Sequence, residues 1–275
     1  MKKVQIRTKN PSAKPLKGSI KSPFRCLVRL GSRTPAQETF AKVKLNRFKY
    51  IEINSIEAIE ISRDKLRMKE AFASAGVSQA KYSTSRDPNT ILEECGGKFP
   101  LVGKHVLGSK GRGMVKLDTM EELQEYLRRK GSSNIFFEKF YNYAREYRIH
   151  INYLHGPFMI WRKLRRSDCK ERWFFNNENC NWVNPKHELF DKPSNMDQVI
   201  EEAHRAMEAV GLDIGAIDLR IQSNSTSKKP KFIICEINSA PQLGEQGINI
   251  YREAIEQMIE DKIKSNAFIN FSRYA

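Results

Sequence analysis

Apolar and polar positions alternate most regularly over Ile214–Gln222 and Lys231–Asn238, with the polar stretch Ser223–Pro230 between them. Period-two alternation bounded by turn residues predicts a β-hairpin. On its first strand Ile217, Leu219 and Ile221 share one face, and Asp218, Arg220 and Gln222 the other. On its second, Ile233, Cys235 and Ile237 alternate with Ile234, Glu236 and Asn238. Folding about the middle of the turn sets Asp218 roughly opposite Glu236. Upstream, Arg145 to Arg166 reads as two strands joined at His155-Gly156, and Met196–Val210 as an amphipathic helix stopped by Gly211. Ile250–Ile263 reads as a closing helix.

The first half mixes periods. Asp64–Ala75 carries Met68, Ala71, Phe72 and Ala75 on one helical face, with Gly76 as the stop. A short helix near Asn89–Glu94 precedes a strand over Phe99–Val106, a loop Leu107–Gly113 with three glycines, and a strand over Met114–Leu117. Thr119 and Glu122 have capping-box spacing for a helix ending near Lys130, and Asn134–Phe140 is again strand-like. Arg25–Leu30, Pro35–Leu45 and Lys49–Asn54 predict one small βαβ unit. Residues 1–23 show little periodicity and are expected to form a basic flexible arm, with 24–62 as a short α/β unit. The class this implies is α+β.

Composition narrows the function. At 40% hydrophobic and 10% aromatic content, the 275 residues can build a sizeable core. No apolar run approaches the ~20 residues of a membrane span. The basic N-terminus lacks the apolar stretch of a secretory signal. Five scattered cysteines with no C-x-x-C pair are expected to be free thiols, as in a reducing cytoplasm. Residues 1–50 hold fourteen Lys or Arg against one acid, Glu38, so +13 of the formal +16 lies there. Such a segment attracts polyanions, nucleic acid or an acidic protein, or simply keeps the chain solvated.

The hairpin carries the sharpest chemistry. Like charges directly opposite one another destabilise a sheet. Asp218 and Glu236, with the Asn238 amide oxygen two residues on, therefore imply a cation, and three hard oxygen ligands suit Mg²⁺. In the glycine loop, Gly108, Gly111 and Gly113 can leave amide hydrogens open to phosphate oxygens, with Lys104 on the preceding strand as a point charge. Neither a P-loop nor a Rossmann fingerprint is present. Along Glu146-Tyr147-Arg148-Ile149-His150, Arg148 can offer a planar fork to an anion. Arg162 and Lys163 on the next strand can approach the same anion or remain surface charges. His150 is expected to be a satisfied sheet histidine.

In order, the lysine strand, the glycine loop, Phe136-Phe137-Glu138-Lys139-Phe140, the Glu-Tyr-Arg strand, then Asp218 and Glu236-x-Asn238 resemble the ATP-grasp superfamily. Ser62-Arg63-Asp64-Lys65, heading a helix that ends in Ala75-Gly76-Val77, looks like the segment that opens that fold. The nearest likeness is to the glutamate-adding ribosomal-protein ligases. This resemblance covers about 54–263 and implies two α+β lobes with ATP between them. An ATP-grasp domain would span 63–265, with a lid lobe about 98–140 and a metal lobe about 144–265. It implies an ADP-forming carboxylate–amine ligase working through an acyl phosphate. Lys104 would meet the α- and β-phosphates. Gly108, Ser109, Gly111 and Gly113 would cover them. Glu138, Lys139 and Phe140 would lie along the adenine, and Glu146 near the ribose. Arg148 would stabilise the transferring phosphoryl group and the acyl phosphate, with Lys163 or Arg162 assisting. Asp218, Glu236 and Asn238 would hold Mg²⁺, with Mn²⁺ as a substitute.

Two departures set limits. The region before Asn54 is shorter and more basic than the family's usual substrate-recognising domain. Arg172–Trp182 lacks the glycines of the family's substrate strand, so its aromatics either line an acceptor pocket or pack. Arg220 is unusual beside a metal ligand. It would bind a substrate carboxylate or the γ-phosphate, or pair with Asp218. The contrasting reading of the whole chain is a nucleic-acid-binding module, without catalysis, on a degenerate ATP-grasp scaffold.

Overall fold

The N-terminal segment packs into the core. The computed structural model describes residues 1–40, 50–108, 111, 113–131, 134–170, 173–176, 179–225 and 229–271, with side chains to 265. Lys2–Lys3 (β1) and Gln5–Thr8 (β2) lead into a 3-10 turn at Pro11–Leu16, capped by the Asn10 side-chain Oδ1, which accepts from the Ser12 amide at 3.0 Å. Lys21–Ser22 (β3) pairs with β1, and Cys26–Leu30 (β4) lies parallel to β2. After Ala36–Thr39 (α1), Ile51–Ile53 (β5) adds a third parallel strand, giving the order β2-β4-β5. Val4, Ile6, Ala13, Leu16 and Ile20 are all buried. The flexible arm expected over 1–23 is thus overturned. Its apolar residues are too irregularly spaced for one period to reveal them, because a strand, a 3-10 turn and a loop each bury one or two. The predicted helix beyond Phe40, over 41–45, lies outside the described residues.

Two helices follow, Ile56–Arg63 (α2), capped by Ser55, and Lys65–Ser74 (α3), capped by Asp64. Tyr82–Ser83 (β6), Pro88–Glu94 (α4), Leu101–His105 (β7), Val115–Leu117 (β8), Met120–Lys130 (α5) and Ile135–Lys139 (β9) form an antiparallel sheet β6-β9-β7-β8 with two helices against it. Ile91, Leu101, Leu123, Tyr126 and Phe137 share its core. Thr119 accepts from the Glu122 amide at 3.2 Å, while the Glu122 carboxylate reaches back to the Asp118 amide at 2.6 Å, one residue beyond the usual box.

Arg145–Asn152 (β10), Gly156–Arg165 (β11), Cys180–Val183 (β12), Ile214–Ile221 (β13) and Phe232–Asn238 (β14) form an antiparallel sheet in the order β12-β11-β10-β13-β14. Met196–Val210 (α6), which Gly211 ends as expected at φ +75°, packs with α2 and α3 on one face. Gly244–Phe271 (α7) is longer than predicted and binds the sheet's far end to the N-terminal unit through Tyr251, Ile255 and Met258. No helix among the described residues is long and apolar enough to cross a membrane.

The N-terminal unit also braces the loop that follows β14. Asn10 donates to the carbonyls of Ala240 and Pro241 at 3.2 and 2.7 Å, and the Leu243 amide donates to Ser12 Oγ at 3.1 Å. Gly31 has φ +73°, and a Cβ there would stand 2.6 Å from the Cβ of Ala240. Gly31→Ala is expected to cost about 1–2 kcal/mol from the left-handed backbone alone, with more from displacing Ala240. A lower urea midpoint at unchanged slope is the expected readout.

Candidate functional site

Registers across the five-stranded sheet place the polar residues on one face, in transverse rows. One row runs Trp182, Lys163, Glu146, Arg220. The next runs Trp161, Arg148, Asp218, Glu236, and a third runs Met159, His150, Ala216, Asn238. Directly paired residues point the same way, so seven charged or amide side chains from four strands share one surface. Asp218 does face Glu236. A bulge leaves Cys235 unpaired, with Leu219 opposite Ile234. Ile234 and Ile237 therefore join Ile217, Leu219 and Ile221 in the core, where simple alternation had put Ile233.

Each acid has a cation. Arg148 donates through Nε and an η-nitrogen to both oxygens of Asp218, each at 2.7 Å. Lys163 donates to Glu146 and lies 3.6 Å from Asp218. Lys65 donates to Glu236 at 2.8 Å, and Asn238 donates to the other Glu236 oxygen at 3.2 Å. Lys69 and Lys104 both grip Glu138, the former at 2.6 Å. One turn apart on α3, Lys65 thus reaches the larger sheet and Lys69 the smaller one.

The charges shift one another. Lys65 holds the Glu236 carboxyl well below the usual carboxylate range. Burial alone would lower the Lys65 ammonium, but Glu236 outweighs it and the net direction is upward. Burial likewise opposes charge on Arg148 and Lys163, and Asp218 reverses it in both, raising their values. Burial raises Glu146 despite Lys163. Burial would also raise Glu138, but Lys104 and Lys69 together bring it down to about 2. Lys69, buried and sharing its one carboxylate with a second lysine, is lowered.

Several solved structures share this arrangement of strands and helices. D-alanine–D-alanine ligase from Bacillus anthracis, complexed with ATP, superposes with a TM-score of 0.60 at 14% identity, covering 88% of this chain and 80% of that one. The ATP-grasp ligase PsnB, complexed with a minimal precursor, gives 0.54 at 14% identity over 81% of this chain and 72% of its own. The chain has the ATP-grasp fold. N5-carboxyaminoimidazole synthetase from Staphylococcus aureus, complexed with ADP, gives 0.57 at 18% identity over 80% of this chain. The chain spans about half the length of that synthetase, 55%. No protein-family model and no curated protein matches the sequence.

Within the ATP-grasp fold, Arg148, Lys163, Glu146, Arg220, Asp218, Glu236 and Asn238 share the sheet face, while Lys104 and Glu138 face them from the smaller sheet. Lys139 lies over the Tyr141 ring at 5.5 Å, and Phe140 packs edge-on to Trp173 at 6.4 Å. Gly108 donates to the His105 carbonyl at 3.0 Å, and Gly111 and Gly113 have φ of +74° and +75°. Ser109 lies outside the described residues. Arg220 does not pair with Asp218, whose oxygens Arg148 takes; it donates to the Tyr143 carbonyl at 2.9 Å and lies 3.9 Å from Glu146. Arg162 pairs in register with Tyr147 and donates to the Leu189 carbonyl at 2.6 Å, so it belongs to the opposite face. His150 is only half satisfied: Nδ1 meets the Tyr251 hydroxyl at 2.7 Å, and Nε2 has no partner among the described residues.

Sequence reasoning missed Lys65 and Lys69 as site residues. Their signal was a pair of lysines one turn apart on a helix whose neighbours Met68 and Phe72 are buried. Glu138 supplies a test of the electrostatics. A carboxylate held below its unfolded value of 4.5 stabilises the fold above that pH and loses the contribution as pH falls toward about 2. The wild type is expected to lose about 3 kcal/mol across that window. Glu138→Gln, less stable at pH 7 because two lysines lose their carboxylate, should show a flatter acid limb in urea unfolding followed against pH.

Proposed function

We propose that the chain is an ATP- and Mg²⁺-dependent ligase that joins a carboxylate to an amine and releases ADP and phosphate. The observation that carries this is the row Trp161, Arg148, Asp218, Glu236, in which two acids stand opposite each other beside a partly buried guanidinium. Asp218, Glu236 and the Asn238 amide are hard oxygen donors of the kind Mg²⁺ takes, with Mn²⁺ as a substitute. Held there, the ion would supply positive charge to the nucleotide's phosphates. Lys65 and Lys104, each on a carboxylate in this structure, are the cations available to the phosphates from the other side.

The chemistry needs little more than positioning and charge. A carboxylate oxygen attacks the γ-phosphorus, ADP departs, and the acyl phosphate forms. The amine nitrogen then attacks the acyl carbon, the C–O bond to phosphate breaks, and the proton from nitrogen leaves with the phosphate. Negative charge gathers on the phosphoryl oxygens in the first step, where the Arg148 fork and Lys163 offset it. Gly108, Ser109, Gly111 and Gly113 are proposed to cover the nucleotide, limiting hydrolysis of the intermediate. Lys139 and Phe140 would flank its base.

The narrower likeness to glutamate-adding ligases makes amino acids the first carboxylates to try. Incubating the chain with Mg²⁺-ATP, an amino-acid panel and an amine panel is expected to release ADP in at least one combination. Absence of any nucleotide binding by calorimetry would overturn the reading. The exposed lysines of the N-terminal unit support a polyanionic partner for this enzyme, nucleic acid or an acidic protein. Because that unit is part of the core, Lys14, Lys17 and Lys21 should be changed to Gln rather than deleted. Weaker binding and a shallower salt dependence are expected.

A further inference from the structure

The catalytic face continues into a cavity that the nucleotide chemistry leaves unused. Trp161 ends the Arg148 row, and Trp182 ends the row beside it. With Leu243 and Gly244 at the start of α7, the two indoles wall a chamber of about 150 Å³ that Arg148 and His150 also line. The same four wall residues continue into an outer cavity of about 420 Å³, rimmed by Asn184, His187, Glu245 and Gln246. The inner chamber has the volume of roughly five waters at ~30 Å³ each, enough for one small group. The outer volume falls in the range of small-molecule sites, roughly 300–1,000 Å³.

His150 borders the inner chamber beside Arg148. The residue is fully buried, its Nδ1 is tied to Tyr251, and its Nε2 is unpartnered among the described residues. A buried polar atom without a partner is uncommon and asks for an explanation. With Nδ1–H donating to the Tyr251 hydroxyl, Nε2 presents a lone pair. Burial, and after it the Arg148 charge, keeps the ring neutral. That same guanidinium disfavours an ammonium beside it and so favours the free, nucleophilic amine. It also lies 4.7 Å from the Trp182 ring centre, with the Lys163 ammonium at 5.0 Å, so this indole is held by two cations.

We propose that the two chambers are the acceptor site, and that the acceptor is a small primary amine with a flat, unsaturated body. The body lies against Trp161 and Trp182. The amino group enters the inner chamber and stands next to Arg148, where the acyl phosphate forms. Glu245 at the rim attracts the cationic amine from solution. This inference rests on the ligase reading for its chemistry, but the binding site can be tested without turnover.

Two measurements on the full chain separate the claims. Calorimetry with a non-hydrolysable ATP analogue and Mg²⁺ reports nucleotide binding. Tryptophan fluorescence, titrated with 2-phenylethylamine and with its saturated counterpart 2-cyclohexylethylamine, reports the cavity, with Trp182 remaining as a reporter when Trp161 is changed. The aromatic amine should quench saturably and bind at least tenfold more tightly than the saturated one. Trp161→Leu should weaken it at least tenfold and Trp161→Phe restore most of the loss, with thermal melts showing both variants folded. A chain that binds nucleotide but shows no saturable quench, or a folded Trp161→Leu that binds the amine like wild type, overturns the acceptor site alone. Trp161-dependent quenching without nucleotide binding keeps the site and removes the ligase reading.

Discussion

Replacing Glu236 by alanine is expected to abolish Mg²⁺-dependent ADP release while leaving the chain folded. The fold should survive because neither side of the Lys65–Glu236 pair is deeply buried, at 18% and 33% side-chain exposure, and Lys65 can turn to water when its partner is gone. The cost lies between the about 0–1 kcal/mol of an exposed pair and the about 3–5 kcal/mol of breaking a buried one. Function has no such escape. The alanine removes one of two opposed carboxylates, leaving Asp218, already gripped by Arg148, as the remaining acid. Loss of one well-placed charge-stabilising group costs roughly 10²–10³ in rate, and a charged donor to an ion should cost at least that. Glu236→Gln separates charge from shape, since it keeps one donor oxygen and loses the negative charge. Its residual turnover should rise as Mg²⁺ is raised, whereas that of the alanine should not. A Glu236→Ala enzyme releasing ADP at the wild-type rate would remove the hairpin from the mechanism.

The opposition of Asp218 and Glu236 was legible because alternation on two strands and the length of one turn fix a register. The bulge at Cys235 was not, because one inserted residue changes the inward set without disturbing the hydrophobic count. The Glu-Tyr-Arg strand was legible as a motif, yet its meeting with the acidic hairpin depends on β10 lying beside β13, a sheet order that local pattern does not encode. The same order brings Trp182 and Trp161 into rows with Lys163 and Arg148, so Trp182, the last of the undecided aromatics, becomes a cavity wall. Val4, Ile6, Leu16 and Ile20 escaped because charge dominates the composition around them, although they share one buried cluster with β4, β5 and α7.

Arg148→Ala is expected to lose both rate and stability, and the two losses should separate by substitution. Arg148 and Asp218 have side-chain exposures of 12% and 4%, so removing the guanidinium strands a buried carboxylate. Breaking such a pair costs about 3–5 kcal/mol, and Lys163 at 3.6 Å should hold the loss to the lower end. Arg148→Lys keeps a positive charge against Asp218 but not the fork that meets both oxygens. It should recover most of the urea midpoint while ADP release stays at least tenfold below wild type, because a single ammonium cannot face Asp218 and the transferring phosphoryl group together. Arg148→Ala should fall by about 10²–10³, in kcat rather than in the KM for ATP, since the role assigned to Arg148 is to meet charge that develops during transfer. If ATP affinity falls while kcat holds, Arg148 is a ground-state phosphate contact and the chemical step belongs to Lys163. If Arg148→Lys restores kcat as fully as it restores stability, the fork geometry is irrelevant and only charge matters at that row of the sheet.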